Sequence, residues 1–216
     1  MADAPAPFPL DRPARLAVFA SGRGSNLAAL LAAFPPASAS PPAPGAAGVV
    51  LVVSDRRDAG ALALARDAGV RAVHIAFGRD REGFEGAAQD ELERHAVDLV
   101  ALAGFMRVLS PAFVAGWHGR LVNVHPSLLP AFPGLHAVRQ ALAAGVARSG
   151  CTVHFVDAGV DTGPVIARRE VPVLPGDDEA TLQARIQAAE HATLPAAIRA
   201  VLRGEAAPPS PSGPPA

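Results

Sequence analysis

Asn123 and His125 stand two apart in Leu121-Val122-Asn123-Val124-His125-Pro126-Ser127-Leu128-Leu129-Pro130. On an extended chain they project to the same side. An amide that donates hydrogen bonds then lies beside an imidazole that gives or takes a proton. Pro126 biases His125 away from helix and toward the extended conformation that keeps the pair together. At the carboxyl end of a strand, such a pair suits an oxyanion site with an acid/base beside it. A half-buried polar pair satisfying loop backbone is the plainer alternative. Further along, Asp157-Ala158-Gly159-Val160-Asp161-Thr162-Gly163-Pro164 is a loop by its glycines and proline. Its Asp161 has no evident structural duty, although an Asx-turn accounts for it equally well.

A second group of residues is built to hold an anion. Ser21-Gly22-Arg23-Gly24-Ser25-Asn26 lies between the apolar stretch Leu16 to Ala20 and a helical stretch from Leu27 to Phe34. Strand, glycine-rich turn and helix place unpaired N–H groups and a partial positive charge against a ligand. Leu27 occupies the third glycine position of the dinucleotide fingerprint, so a single phosphate fits better than a pyrophosphate. The alternative is a helix capped by Ser25 or Asn26. A third group, Gly104-Phe105-Met106-Arg107-Val108-Leu109, follows the apolar run Val97 to Ala103. It can wall a pocket for a flat ring, though core packing accounts for Phe105 and Leu109 as well.

The elements that position these groups follow from periodicity. Strands are expected at Val49 to Val53, ending in Ser54-Asp55-Arg56-Arg57, and at Val70 to Ala76. Asp55 is placed either to meet a ribose or to cap or pair locally with Arg56. Helices are expected at Gly60 to Ala68, at Arg79 to His95, after Ser110-Pro111, and at Leu135 to Ala144. Cys151 to Val156 and Val165 to Val173 alternate as strands, and Asp177 to Gly204 reads as a long helix with a kink at Pro195. Alternation of strand and helix predicts an α/β fold, a doubly wound and mostly parallel sheet, with antiparallel strands in the C-terminal half. Ligands of such sheets sit at strand carboxyl ends, where the three groups fall.

Composition narrows the chemistry. Half of the 216 residues are hydrophobic, enough for a sizeable core. All nineteen basic residues are arginine, which excludes a Walker A lysine, a Schiff-base lysine and pyridoxal-phosphate chemistry. Net charge is -1, against a nucleic-acid protein held by bulk charge. The single Cys151 allows no internal disulfide, and the seven histidines have no metal-ligand spacing, so no metal is expected. Neither a signal peptide nor a membrane span is expected, so a cytoplasmic protein is the default. Residues 1–14 are Ala/Pro-rich and 205–216 Pro/Ser-rich, and both are expected to be disordered. A single domain is expected over 15–204, with a nucleotide-phosphate-binding half at about 15–118 and a catalytic half at about 119–204.

Asn123-Val124-His125-Pro126-Ser127-Leu128-Leu129-Pro130, followed by Asp161-Thr162-Gly163-Pro164, resembles the folate-dependent formyltransferase superfamily. Ser21 to Asn26, Ala103-Gly104-Phe105-Met106-Arg107 and Glu190-His191-Ala192 narrow the resemblance to the phosphoribosylglycinamide formyltransferase family of purine biosynthesis. The resemblance implies a Rossmann-like fold and formyl transfer from 10-formyltetrahydrofolate, a co-substrate, to the amine of glycinamide ribonucleotide. By the same resemblance no metal, nucleic acid or membrane is expected to take part, and a monomer or homodimer is expected. It implies a catalytic trio of Asn123, His125 and Asp161. Asn123 and protonated His125 stabilise the tetrahedral oxyanion, and Asp161 holds His125 and assists proton transfer. Gly24, Ser25 and Asn26 match the phosphate grip, and Glu190 the acid that orients the glycinamide end. Arg81, Met106, Arg107, Val108, Leu109 and Asn123 match the folate side. His136 lies beside the site with no assigned role. Arg23, Phe84 in place of a frequent Tyr, and the Pro-rich segment 35–47 depart from the common pattern. Two alternatives are formyltetrahydrofolate deformylase, which uses the same trio with water, and a non-catalytic nucleotide-binding module. The deformylase carries an N-terminal regulatory domain that is not expected before Leu16, and the intact trio speaks against the module. Methionyl-tRNA formyltransferase adds a C-terminal RNA-binding domain that is not expected after Gly204.

Overall fold

The structure, a computed structural model, describes residues 8–36, 46–78 and 80–208. Seven strands form one sheet: β1 (Ala14–Phe19), β2 (Ala47–Ser54), β3 (Arg71–His74), β4 (Leu99–Leu102), β5 (Leu121–His125), β6 (Arg148–Phe155) and β7 (Val165–Pro172). Their order is β3-β2-β1-β4-β5-β6-β7. The first five are parallel, and β6 and β7 join antiparallel. The helices are α1 (Ser25–Ala33), α2 (Gly60–Asp67), α3 (Arg81–Arg94), α4 (Pro111–Gly116), α5 (Ala137–Ala143) and α6 (Glu179–Leu202). The mostly parallel sheet with antiparallel strands in the C-terminal half is the one the alternation predicts.

Strand alternation separates two cores. Leu16, Val18 and Ala20 enter the core beneath α1, α2, α5 and α6, together with Leu99, Ala101, Val122 and Val124. Ala17, Phe19, Val100, Leu102 and Leu121 enter the core beneath α3 and α4, with Phe84, Leu92 and Trp117. Burial on both faces is why these strands read as continuous apolar runs. Phe84 is 1% exposed and stacks on Phe105 with centroids 5.7 Å apart, so it belongs to the core. A hydroxyl at that place would need a buried partner.

Several boundaries differ from the sequence reading. Helix α1 begins at Ser25, two residues early, because Gly24 takes the cap position with φ 89° and no side-chain cap bond forms. β6 begins at Arg148, paired with Pro172, where sequence alternation begins only at Cys151. Helix α6 spans Glu179–Leu202 with Pro195 inside it, two residues shorter at each end than the sequence reading. Within the segment assigned to disorder at the N-terminus, Phe8 and Leu10 pack against the first core. Arg12 donates two hydrogen bonds of 2.7 Å to Asp98. At the other end Ala206 packs on the same core. Residues 1–7 and 209–216 of the two terminal segments, 37–45 of the Pro-rich segment, and Arg79 lie outside the described residues.

Candidate active site

The register of β5 against β6 builds the polar cluster. Leu121, Asn123 and His125 share one strand face, and β6 sets His154 opposite Asn123 and Thr152 opposite His125. Asp161 comes from the β6–β7 connection. Its φ of 56° is left-handed, a conformation aspartate tolerates better than most residues. Gly163 permits that loop, since a Cβ there would stand 1.9 Å from the Phe155 carbonyl oxygen. The loop after β5 is braced by Thr152, whose hydroxyl donates to the Ser127 carbonyl at 2.7 Å and accepts from Leu129 N–H at 3.0 Å.

Asn123, His125 and Asp161 come together. His125 Nδ1 is 3.2 Å from Asp161 Oδ2, and Nε2 is 2.8 Å from the Phe132 carbonyl oxygen. Both ring nitrogens of His125 thus face acceptors. Asn123 Nδ2 lies 3.4 Å from Asp161 Oδ1 and 3.2 Å from His154 Nε2. His154 Nδ1 is 2.8 Å from the Phe155 carbonyl oxygen, and its Nε2 is 3.5 Å from Asp161 Oδ1. A neutral His154 accepts the Asn123 amide, and a charged one turns to the carboxylate. Burial pushes the Asp161 carboxyl upward. Hydrogen bonds from His154 and from Gly134 N–H, with the charges of His125 and His154, outweigh it and hold Asp161 below the usual carboxylate range.

A cleft of about 560 Å³ runs from this cluster to the start of α1. Gly24, Ser25 and Asn26 line it, and the uncapped first turn of α1 leaves its N–H groups for a ligand. The Asn26 side chain donates from Nδ2 to Glu190 Oε2 at 2.8 Å, while its Oδ1 is buried without a hydrogen-bond partner among the described residues. Glu190 is 5% exposed, and burial, partly offset by Asn26, pushes its carboxyl up to about 7. Gln183 and Gln187 also line the cleft from α6, and the sequence reading missed them. Their signal was the helical spacing of Glu179, Gln183, Gln187 and Glu190. In the sequence His154 is one residue of an alternating strand, and only the antiparallel register sets it against Asn123.

The third wall is the loop after β4. Met106, Val108 and Leu109 line the cleft; Met106 is 62% exposed and Val108 60%, so this wall is apolar and open to a flat ring. Met106 N–H donates to Ser21 Oγ at 3.0 Å, tying the wall to the phosphate loop. Arg107 also lines the cleft and pairs with Asp55, Nε to Oδ2, at 2.7 Å. Asp55 is thus not the partner of Arg56, which pairs with Asp58 instead. Arg81, expected on the folate side, is exposed in the first turn of α3 and does not line the cleft. His136 lines it and opens α5 with φ 63°.

An open, Rossmann-like α/β sheet carries an uncapped helix start and an amide–imidazole–carboxylate cluster at its strand ends, where sheets of this class bind their ligands. The chain belongs to the formyl transferase family, whose model matches residues 14–198. It is 46% identical over 199 residues to phosphoribosylglycinamide formyltransferase of Mycobacterium tuberculosis, covering 91% of this chain and 89% of that protein. It is 49% identical over 195 residues to the trifunctional purine biosynthetic protein adenosine-3 of Drosophila melanogaster. That match covers 89% of this chain but only 14% of the much longer fly protein. The solved glycinamide ribonucleotide transformylase 1 of Symbiobacterium toebii superposes with TM-score 0.82 at 43% identity, covering 94% of each chain.

Proposed function

We propose that this protein transfers the formyl group of 10-formyltetrahydrofolate to the amine of 5'-phosphoribosylglycinamide, a step of purine biosynthesis in the cytoplasm. The observation that carries this reading is the meeting of Asn123, His125 and Asp161 at one end of a cleft whose other end is the start of α1. The names of relatives such as phosphoribosylglycinamide formyltransferase support formyl transfer to that ribonucleotide. The described apolar wall at Met106 and Val108 fits the flat ring of a folate, and the N–H groups of α1 fit a phosphate. Residues 15–204 act in this reading as one unit, with the phosphate held from the first half and the chemistry done by the second.

The amine attacks the formyl carbon, and the formyl oxygen gains negative charge. An amide has two N–H groups, so Asn123 can donate one to that oxygen while the other stays with His154 or Asp161. His125 Nε2–H, held by the Phe132 carbonyl, is released to the oxyanion because a charged acceptor forms the stronger bond. Ionised Asp161 keeps the His125 ring oriented and charged, and accepts the proton that the new ammonium must lose. Collapse of the oxyanion then breaks the bond between the formyl carbon and N10, and N10 leaves with the proton that Asp161 took from the ammonium. Glu190 faces the glycinamide end, where a polar amine restores solvation to a carboxyl that burial disfavours in charged form.

The test is incubation with 10-formyltetrahydrofolate with and without glycinamide ribonucleotide, following formylated product and free formate. Product formation that requires the amine, with slow formate release in its absence, is expected. Rapid formate release without the amine would identify a deformylase, and neither product would leave a binding module.

A further inference from the structure

Asp55 follows β2 outside the catalytic cluster, and its side chain is 1% exposed. Its partner comes from a different loop: Arg107 Nε lies 2.7 Å from Oδ2, while Oδ1 is buried with no hydrogen-bond partner. The same guanidinium stands over Phe77, 5.1 Å from the ring centroid. Arg107 is nonetheless 45% exposed and lines the cleft. Among the described residues its two terminal amino groups make no hydrogen bond.

A surface arginine on a loop ordinarily samples many rotamers. Arg107 is clamped at Nε by a carboxylate and on one face by an aromatic ring. Burying a carboxylate carries a desolvation penalty, and a buried ion pair adds little stability over apolar packing. The arrangement yields direction instead: with Nε occupied, the remaining Nη1/Nη2 edge points as a preset fork suited to an anionic oxygen pair. Asp55 also neutralises the charge, so the site offers geometry more than bulk attraction.

We propose that Asp55 is a positioning residue for the co-substrate. It fixes Arg107 at the mouth of the cleft so that the two free amino groups meet an anionic group of the folate. The inference rests on the formyl-transfer reading above. Asp55 touches no reacting atom and acts only through Arg107.

The test is equilibrium binding of 10-formyltetrahydrofolate, of its glutamyl diamide, and of glycinamide ribonucleotide to wild type and to Asp55→Asn. Losing one hydrogen bond to a charged group weakens binding by about tenfold. Asp55→Asn is therefore expected to weaken the folate by about that factor, to leave the diamide and the ribonucleotide unchanged, and to place its kinetic effect on KM of the folate more than on kcat. The double variant Asp55→Asn/Arg107→Gln, which strands no buried charge, is expected to bind folate and diamide alike. Should Asp55→Asn fail to fold, Phe77→Leu removes the other clamp and is expected to weaken the folate alone. Wild-type folate affinity in Asp55→Asn, or equal loss of folate, diamide and ribonucleotide, overturns the proposal. A folded wild type that binds no folate at all overturns the formyl-transfer reading itself.

Discussion

Asp161 and Glu190 are two carboxyls in one cleft with opposite environments, and each leads to a measurable consequence. The Asp161 carboxyl stays ionised well into acid, because donated hydrogen bonds and nearby histidine charge overcome burial. Its stabilising contribution is present above the ordinary carboxylate range and is lost as pH falls through its depressed value. Glu190, raised to about 7, has the reverse sign. Between its usual value near 4.5 and about 7 the unfolded chain gives up this proton first, so stability falls as pH rises through that window. Glu190→Gln should flatten that slope, with a gain on the order of 3 kcal/mol above it. Thermal melts from pH 4 to 8 check the point; an unchanged slope would mean that Glu190 is charged in the fold. For the trio, Asn123→Ala, His125→Ala and Asp161→Ala should each lower kcat by at least about 10²-fold with little change in ligand binding. Any double should be far less impaired than the product of the singles. Asp161→Asn is the cleaner test, since asparagine tolerates the left-handed backbone that alanine resists. Near-normal turnover in His125→Ala would end this assignment.

At the scale of elements, the start of α1 is where phosphate recognition is testable. Gly24→Val looks like a direct block, but a Cβ at 24 would stand 2.9 Å from Ala61 Cα and 3.0 Å from Leu64 Cδ1, at φ +89°. The new side chain would push α2 before it met any ligand. We expect it to lower the melting temperature and to weaken both substrates together. Ser25→Glu is the selective change. An acidic side chain in a first helical turn favours the helix, so the fold is kept while negative charge enters the anion site. KM for the ribonucleotide should rise at least about tenfold, one charge acting at close range, with KM for the folate nearly unchanged. Steady-state kinetics with each substrate varied decides it, and an unchanged KM for the ribonucleotide would move the phosphate away from α1.

For the whole molecule, the described ends of the chain meet near the carboxyl end of α6. Phe8 and Leu10 pack on the first core, and a Cβ at Gly204 would lie 3.1 Å from the Phe8 carbonyl oxygen. Deleting residues 1–10 exposes apolar surface worth on the order of 2 kcal/mol. The melting temperature should fall by roughly 4–8 °C, without loss of activity at 25 °C. Removing Ala207 onward takes away the approach of Pro208 to Gly119 but leaves Ala206 in place. That truncation should leave activity and melting temperature within error, and a large drop would show that the tail matters to the core.

The sequence determined the elements because their signals are local. Period-two alternation sorts Leu16, Val18 and Ala20 from Ala17 and Phe19, and continuous apolar runs mark strands covered on both sides. It also determined that Asn123 and His125 project together, since two residues on a strand always do. The tertiary structure alone decided which distant residues face them. That His154 sits against Asn123 depends on the antiparallel register of β5 and β6, and that Asp55 reaches Arg107 depends on β1 separating β2 from β4. Arg81 illustrates the limit from the other side, for its position in the chain says nothing about which way α3 turns it. Local periodicity is written in neighbouring residues, whereas register, facing partners and burial arise only when elements far apart in the chain pack, and the desolvation that raises Glu190 exists only once α6 covers it.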